Sequence, residues 1–154
     1  MIRIKSGIEL KVKDEKGKVK TTYHDNVLTN DGRNVMLRKM ANIDGYGNDI
    51  IATHIEVGDT EQEPEVTSFD LGGGTVTALK AAEATYDLNS RRLQFACTFS
   101  GTEGNFTWNT AGLWRVNTTP GNLLIGIVSI DPPQRKISGD SAMATWQISF
   151  EAGS

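Results

Sequence analysis

The sequence predicts a mainly β fold, an antiparallel β-sandwich or jelly-roll-like domain with an N-terminal hairpin and one short helix. Two observations carry that prediction. In the segment from Ala142 to Phe150, the residues Ala142, Ala144, Trp146, Ile148 and Phe150 all project to one side, and period-two alternation ending in bulky aromatics marks a half-buried strand. The same alternation recurs in Ile2/Ile4/Ile8/Leu10/Val12, in Ile51/Ile55/Val57 and in Leu93/Phe95/Cys97/Phe99, with glycine and proline between the runs. Many short strands punctuated in this way belong to sandwich architectures. At 154 residues the chain fits one domain, 1–154, long enough to bury about two-thirds of its unfolded surface.

Each element follows in order. Residues 2–12 and 18–23 read as two strands joined through Asp14-Glu15-Lys16-Gly17, giving an N-terminal hairpin over 1–24 with a glycine suited to a left-handed turn position. Val35, Met36, Leu37, Met40 and Ala41 recur at three- and four-residue spacings that suit a short amphipathic helix, which Thr29, Asn30 or Asp31 could cap. Residues 43–49 read as a loop, and Ile50 to Val57 as a strand that stops at Gly58-Asp59. From Thr60 to Gly74 the composition favours an exposed excursion anchored by Phe69 and Leu71, an arm that could reach a neighbouring subunit. Further strands are predicted over Val76 to Tyr86, Arg91 to Phe99, Ala111 to Val116 and Leu123 to Ile130, with Asp131-Pro132-Pro133 breaking the ladder because proline has no backbone donor.

Composition narrows the function classes. The single cysteine, Cys97, lies between Phe95 and Phe99 on an apolar strand face and reads as a small buried hydrophobe, as befits a chain folding in a reducing cytosol. No run of residues reaches the roughly 18 apolar positions that a membrane span needs, and Met1-Ile2-Arg3-Ile4-Lys5 alternates charge with apolar residues, unlike a signal peptide. The net charge is −3, but residues 1–20 carry seven Lys and Arg against three acids, leaving +4 there and −7 elsewhere. Those lysines mark a solvated hairpin edge protected from aggregation. Docking onto an acidic neighbour is the functional alternative. The lysines lack interleaved aromatics and the whole chain is acidic, so no nucleic-acid partner is expected.

Catalytic and cofactor signals are weak throughout. His24 and His54 stand apart from any Cys, His or carboxylate at metal-site spacing. Gly72-Gly73-Gly74 lacks the following Gly-Lys-Ser/Thr of a phosphate loop and reads as a flexible hinge. Asp44, Asn48 and Asp49 share a glycine-containing loop but lack the spacing of a calcium-binding hand. Glu61 and Glu63 sit in a segment expected to be solvated, so they make a poor acid and base pair. The expectation is a non-enzymatic chain with no cofactor.

The tryptophans are the remaining candidates. Trp146 shares the register of Ile148 and Phe150 and is assigned to the core. Trp114 follows Leu113, so the two point to opposite faces, one inward and the other covering something else, such as a subunit interface. Trp108, in Asn105-Phe106-Thr107-Trp108-Asn109, is the best candidate for exposure of the three, with packing or an interface weighed ahead of a glycan contact. Trp108 and Trp114 are therefore candidate interface or glycan contacts, together with Phe69 and Leu71 of the arm.

One further pattern spans the chain from Asn26 to Phe150. The series Asn26 to Arg33 with its short helix, Ile55-Glu56-Val57-Gly58-Asp59, Pro64, Phe69-Asp70-Leu71, Ala111-Gly112-Leu113-Trp114, Leu123-Leu124-Ile125, Lys136 and Thr145 to Phe150 resembles a family of small virion structural proteins of tailed bacteriophages, described as tail, tail-fibre or head-decorating proteins. Where that family often has an acid two positions before the Gly-Leu pair, this chain has Thr110. The resemblance implies a protein made in the host cytoplasm and built into the virion without enzymatic activity, with head or tail left open. A homo-oligomer, a trimer or ring, is expected, with other virion proteins as partners. The rival expectation is a carbohydrate-binding module that holds a host surface glycan through Trp108 and Trp114.

Overall fold

Residues 2–41, 51–73, 76–116 and 121–152 are described in the computed structural model. Ten strands and one helix follow in the order β1 (Ile2–Lys13), β2 (Val19–Asp25), β3 (Val27–Leu28), α1 (Asn30–Met40), β4 (His54–Gly58), β5 (Thr77–Ala81), β6 (Glu83–Asp87), β7 (Arg92–Phe99), β8 (Thr107–Arg115), β9 (Leu123–Arg135) and β10 (Ser141–Ala152). They form two five-stranded antiparallel sheets, one ordered β2-β1-β10-β7-β6 and the other β3-β9-β8-β4-β5. The predicted β-sandwich with one short helix is therefore what the chain forms.

The alternating residues explain the core. Ile8 and Leu10 of β1, Phe95 and Phe99 of β7 and Trp146 of β10 share one apolar cluster with Ile55 and Val57 of β4, Leu113 of β8, and Ile125 and Val128 of β9. Each large aliphatic or aromatic side chain removed from water in this way contributes about 1.5–3 kcal/mol. Trp146 is fully buried as expected, and its ring nitrogen donates to Ser6 Oγ at 3.1 Å. The β1–β2 turn also forms as read: the Asp14 carboxylate accepts from the backbone N–H groups of Lys16 and Lys18, and Gly17 takes a positive φ of 83°.

Thr29 is the residue that caps α1. Its hydroxyl oxygen accepts from Gly32 N at 3.0 Å, and the hydroxyl itself donates to Leu124 O. Thr29 N also donates to Ile125 O at 3.0 Å, so one residue starts the helix and ties it to β9. Gly32 lies so close to β9 that a Cβ there would overlap the Ile125 carbonyl. Of the apolar residues that predict the helix, Val35 and Met36 enter the core, whereas Leu37 and Met40 are exposed.

Several expectations are corrected. Val76 to Tyr86 is two strands: β5 pairs with β4, the chain turns at Ala82, whose N–H donates to Thr53 O, and β6 pairs with β7 in the opposite sheet. Changing sheets in mid-run is a way for a sandwich to close one flank. The strand read over Ile50 to Val57 begins at His54, and the one read over Ala111 to Val116 begins at Thr107. Pro132 and Pro133 lie within β9, but its pairing with β8 jumps from Ser129 to Gln134, so the prolines occupy the stretch where no ladder donor is required.

The segment read as an exposed arm over 60–74 keeps one of its two expected anchors, Leu71, whereas Phe69 is exposed. Through Gly73 it lies against the second sheet, and Leu71 is only 3% exposed, packed in a small cluster with Leu124, Ile127, Val27 and Trp114. Apolar area on the outer face of that sheet, facing away from the main core, needed a cover, and this segment supplies it.

Candidate functional site

Trp108 belongs to the core and is fully buried, contrary to the expected exposure. Its ring meets Phe99 edge-on, with centroids 5.2 Å apart and planes at 64°, and its Nε1 donates to Gly104 O at 2.8 Å. The reason is a register shift between Trp108 and Thr110, which resets the alternation of β8 so that Trp108, Ala111 and Leu113 all enter the same cluster. Trp114 faces the opposite way from Leu113, as its neighbouring position requires, and is half-buried beneath the arm. Its Nε1 donates to Glu56 Oε1 at 3.2 Å, and burial raises the pKa of that carboxyl against the opposing pull of the hydrogen bond. Gly112 makes room for this packing: a Cβ there would lie 2.7 Å from Leu71 Cδ2 and 2.9 Å from Leu124 Cδ1. Leu71 is thus a covering residue, not a free contact. Trp108, fully buried, presents no ring face to a sugar.

Phe69 is different. It is 73% exposed although it stands between buried Ser68 and buried Leu71. Its flanks are fixed: Glu65 N donates to Ser68 Oγ, Ser68 N to Glu65 O, Asn30 N to Val66 O at 2.7 Å, and Gly72 N to the Asp70 carboxylate. The ring is held in water by a loop that is itself anchored. Gly72 and Gly73 adopt positive φ values of 87° and 70°, a region that glycine enters without strain; Gly74 lies outside the described residues.

A second exposed apolar feature lies where the last turn of α1 meets the first sheet. Met36 and Met40 of the helix, Tyr86, Leu93, Ile148 and Phe150 line a groove of about 450 Å³. Met40 is 68% exposed, and Tyr86 and Phe150 also face solvent. Lys39 and Arg91, both exposed, also line it, with Ile51 and Ser149. Sequence reasoning missed this surface. Its signal is the excess of apolar residues on α1, since Leu37 and Met40 lie outside the stripe that Val35 and Met36 commit to the core.

The remaining ionisable groups act as structural ties. Lys136 is 1% exposed; its Nζ donates to Ser100 O and to Asn105 Oδ1, both at 2.7 Å. Burial lowers its pKa, while Asp140 and Glu103 oppose that shift. Lys80 Nζ donates to both Glu103 oxygens at 2.9 and 2.7 Å, and this bond, with the Ser100 N–H, pulls the Glu103 carboxyl down to about 2. The Lys136 bonds fasten the turn between β7 and β8 to the segment that leaves β9, and the Lys80–Glu103 pair fastens it to β5. His24 is buried beside Thr22 and its pKa is lowered by desolvation, with Asp131 opposing. Burial pushes the Cys97 thiol up to about 12, so it is not a thiolate at neutral pH.

Thr110, standing where the resembled family often has an acid, is fully buried, and its hydroxyl makes no hydrogen bond among the described residues. His54 is placed beside Thr53, away from any ligand set, and no group of three metal-ligating side chains occurs among the described residues. Asp44, Asn48 and Asp49 lie outside the described residues. No described helix is long and apolar enough to cross a membrane. Among the exposed apolar features of the described surface are Phe69, on an acidic loop, and the groove beside Met40. No protein-family model matches the chain, and searches of curated proteins and of solved structures yield no significant match.

Proposed function

We propose that this chain is a non-enzymatic structural protein of a tailed-bacteriophage virion, made in the host cytoplasm and assembled as a symmetric oligomer, a trimer or ring, on the tail or as a head-decorating protein. The observation that carries the proposal is the pair of exposed apolar features, Phe69 on its anchored loop and the groove beside Met40. Contiguous exposed apolar surface rimmed by polar residues supports an interaction site. The motif order from Asn26 to Phe150 supports the virion setting, and within it the tail is favoured. The lysines of the β1–β2 hairpin, Lys11, Lys13, Lys16, Lys18 and Lys20, are all exposed and suit docking onto an acidic partner protein of the particle. The glycan-binding reading loses its main carrier with the burial of Trp108.

The test has two parts. Light scattering of the purified chain across a concentration series measures its mass, and sedimentation with phage heads or tails measures its association with particles. An oligomer that co-sediments with either is the expected result. A chain that binds neither heads nor tails, at any concentration, overturns the proposal.

A further inference from the structure

We propose that the outer face of the first sheet carries a saccharide site, a pocket in which Tyr23, Arg92, Gln147 and Ser149 receive one neutral sugar ring. The proposal is independent of the assembly reading and uses neither Phe69 nor the groove beside Met40.

The pocket follows from a glycine. Ile8 and Leu10 of β1 enter the core, so Lys5, Gly7 and Glu9 face away from it, as alternation requires. Pairing sets Lys5 beside Ser149, Ser149 beside Arg92, Gly7 between Asp25 and Gln147, and Glu9 beside Tyr23. Gly7 leaves a gap among these side chains, and the Tyr23 ring reaches across it. A Cβ on Gly7 would lie 2.3 Å from Tyr23 Oη and 2.6 Å from Cζ. The result is a pocket of about 210 Å³ lined by Lys5, Glu9, Tyr23, Arg92, Gln147 and Ser149.

Three features name the occupant. The first is hydrogen-bonding capacity. Arg92 Nη1 donates to Gln147 Oε1 at 3.2 Å, which orients both side chains and leaves the Gln147 amide N–H groups unspent. The hydroxyls of Tyr23 and Ser149 make no hydrogen bond among the described residues. With Glu9 the lining therefore holds several donors and a carboxylate acceptor, the complement of a ring of hydroxyls that each donate and accept.

The second feature is charge. Lys5 Nζ lies 3.7 Å from Glu151, and Lys11 Nζ lies 3.5 Å from Glu9. Burial raises the Tyr23 pKa, with Asp25 and Glu151 adding to the rise and Lys5 and Arg92 opposing it. Asp87 stands opposite Arg92 in the β6–β7 pair. Lys5, Lys11 and Arg92 are thus interspersed with Glu9, Asp25, Asp87 and Glu151. A carboxylate or phosphate meets these acids, and a cation meets Lys5 and Arg92 in the lining itself. A neutral ligand takes charge-assisted hydrogen bonds from both signs and is repelled by neither. The third feature is the aromatic ring. Tyr23 is 44% exposed, which leaves ring surface to pack against the C–H groups of a pyranose.

The test is a heteronuclear NMR titration of the full chain with the methyl pyranosides of glucose, galactose and mannose. The same free sugars, sodium glucuronate, inorganic phosphate and glycerol are titrated alongside. At least one neutral pyranose should shift the backbone signals of Gly7 and Ser149 and the side-chain amide of Gln147. The shifts should saturate with a dissociation constant on the order of 1 mM, as suits a ligand of one ring. Tyr23→Phe should weaken binding by about tenfold through loss of one hydroxyl, and Tyr23→Ala and Gln147→Leu should each remove the saturable shifts. Position 23 is exposed and position 147 is on the outer face, so thermal melts close to the wild type should accompany these changes. Binding of a methyl pyranoside supports the site with the terminal residue of a glycan as its ligand, and binding of free sugars alone supports it with a free sugar. The absence of a saturable shift with any neutral sugar overturns the proposal. So does tighter binding of glucuronate or phosphate, a response that glycerol reproduces, or a response that survives in both Tyr23→Ala and Gln147→Leu.

Discussion

Replacing Trp108 by alanine tests the reassignment of that residue from surface to core. The indole is fully buried, packs edge-on against Phe99 at 5.2 Å and satisfies the Gly104 carbonyl through Nε1. Truncating a buried aromatic of this size costs about 3–5 kcal/mol, a large part of the roughly 5–15 kcal/mol that holds a domain folded. For a chain of this length each kcal/mol moves the midpoint by about 2–4 °C, so the melting temperature should fall by about 6–20 °C. Trp108→Phe keeps an aromatic ring against Phe99 but removes one of the two donors to Gly104 O, leaving the Phe106 N–H, and should cost about 1–2 kcal/mol. Thermal unfolding followed by far-ultraviolet circular dichroism measures both. A Trp108→Ala chain that melts within about 2 °C of the wild type would refute the packing argument and return Trp108 to the surface, where a glycan contact becomes tenable again.

Three further predictions follow from named atoms. Gly32→Ala places a methyl group against the Ile125 carbonyl, and should destabilise by about 1–3 kcal/mol as α1 is forced off β9, read from urea denaturation midpoints. Thr110→Val removes a buried hydroxyl that makes no hydrogen bond among the described residues while keeping its shape, and should stabilise by about 1 kcal/mol in the same assay. Glu103 has a folded-state pKa of about 2 against an ordinary 4.5; its contribution is complete above pH 4.5 and is lost as the pH falls towards 2. Melting temperatures should accordingly drop across that acidic window, and Glu103→Gln should reduce the slope there.

Strand parity made much of this fold legible. Ile8, Leu10, Phe95, Trp146 and Ile148 lie where alternation places them, and the opposite facing of Leu113 and Trp114 follows from their adjacency. Alternation fails where the backbone shifts register. Trp108 and Ala111 are both inward although three residues apart, because β8 changes register between them, and a bulge of this kind has no compositional mark in Phe106-Thr107-Trp108-Asn109. The continuous run Val76 to Tyr86 hid a change of sheet at Ala82, since both halves are β-prone and only the pairing partners differ. At the candidate site, the sequence singled out Phe69 and Leu71 by composition but could not separate them. Leu71 is drawn onto the sheet by Gly112, which leaves space for it, and Phe69 is turned outward by the same anchoring. Beyond the surplus apolar residues of α1, the groove had no mark in the sequence, because its other walls come from β6, β7 and β10, segments joined only by folding.

The place of β10 in the first sheet has a kinetic consequence. In the order β2-β1-β10-β7-β6, the hairpins β1–β2 and β6–β7 are each local in sequence, yet they share no neighbour until β10 is inserted between them. Pairing then runs from Ile2↔Ala152 to Lys13↔Ser141 on one side and from Ala142↔Phe99 to Ser149↔Arg92 on the other. Both closures join residues far apart in the chain, the kind of contact that slows folding into the millisecond-to-second range. During synthesis the two hairpins must wait, with Phe95 and Leu10 uncovered, until the strand carrying Trp146 has left the ribosome. The first sheet is therefore complete only once β10 is in place between β1 and β7.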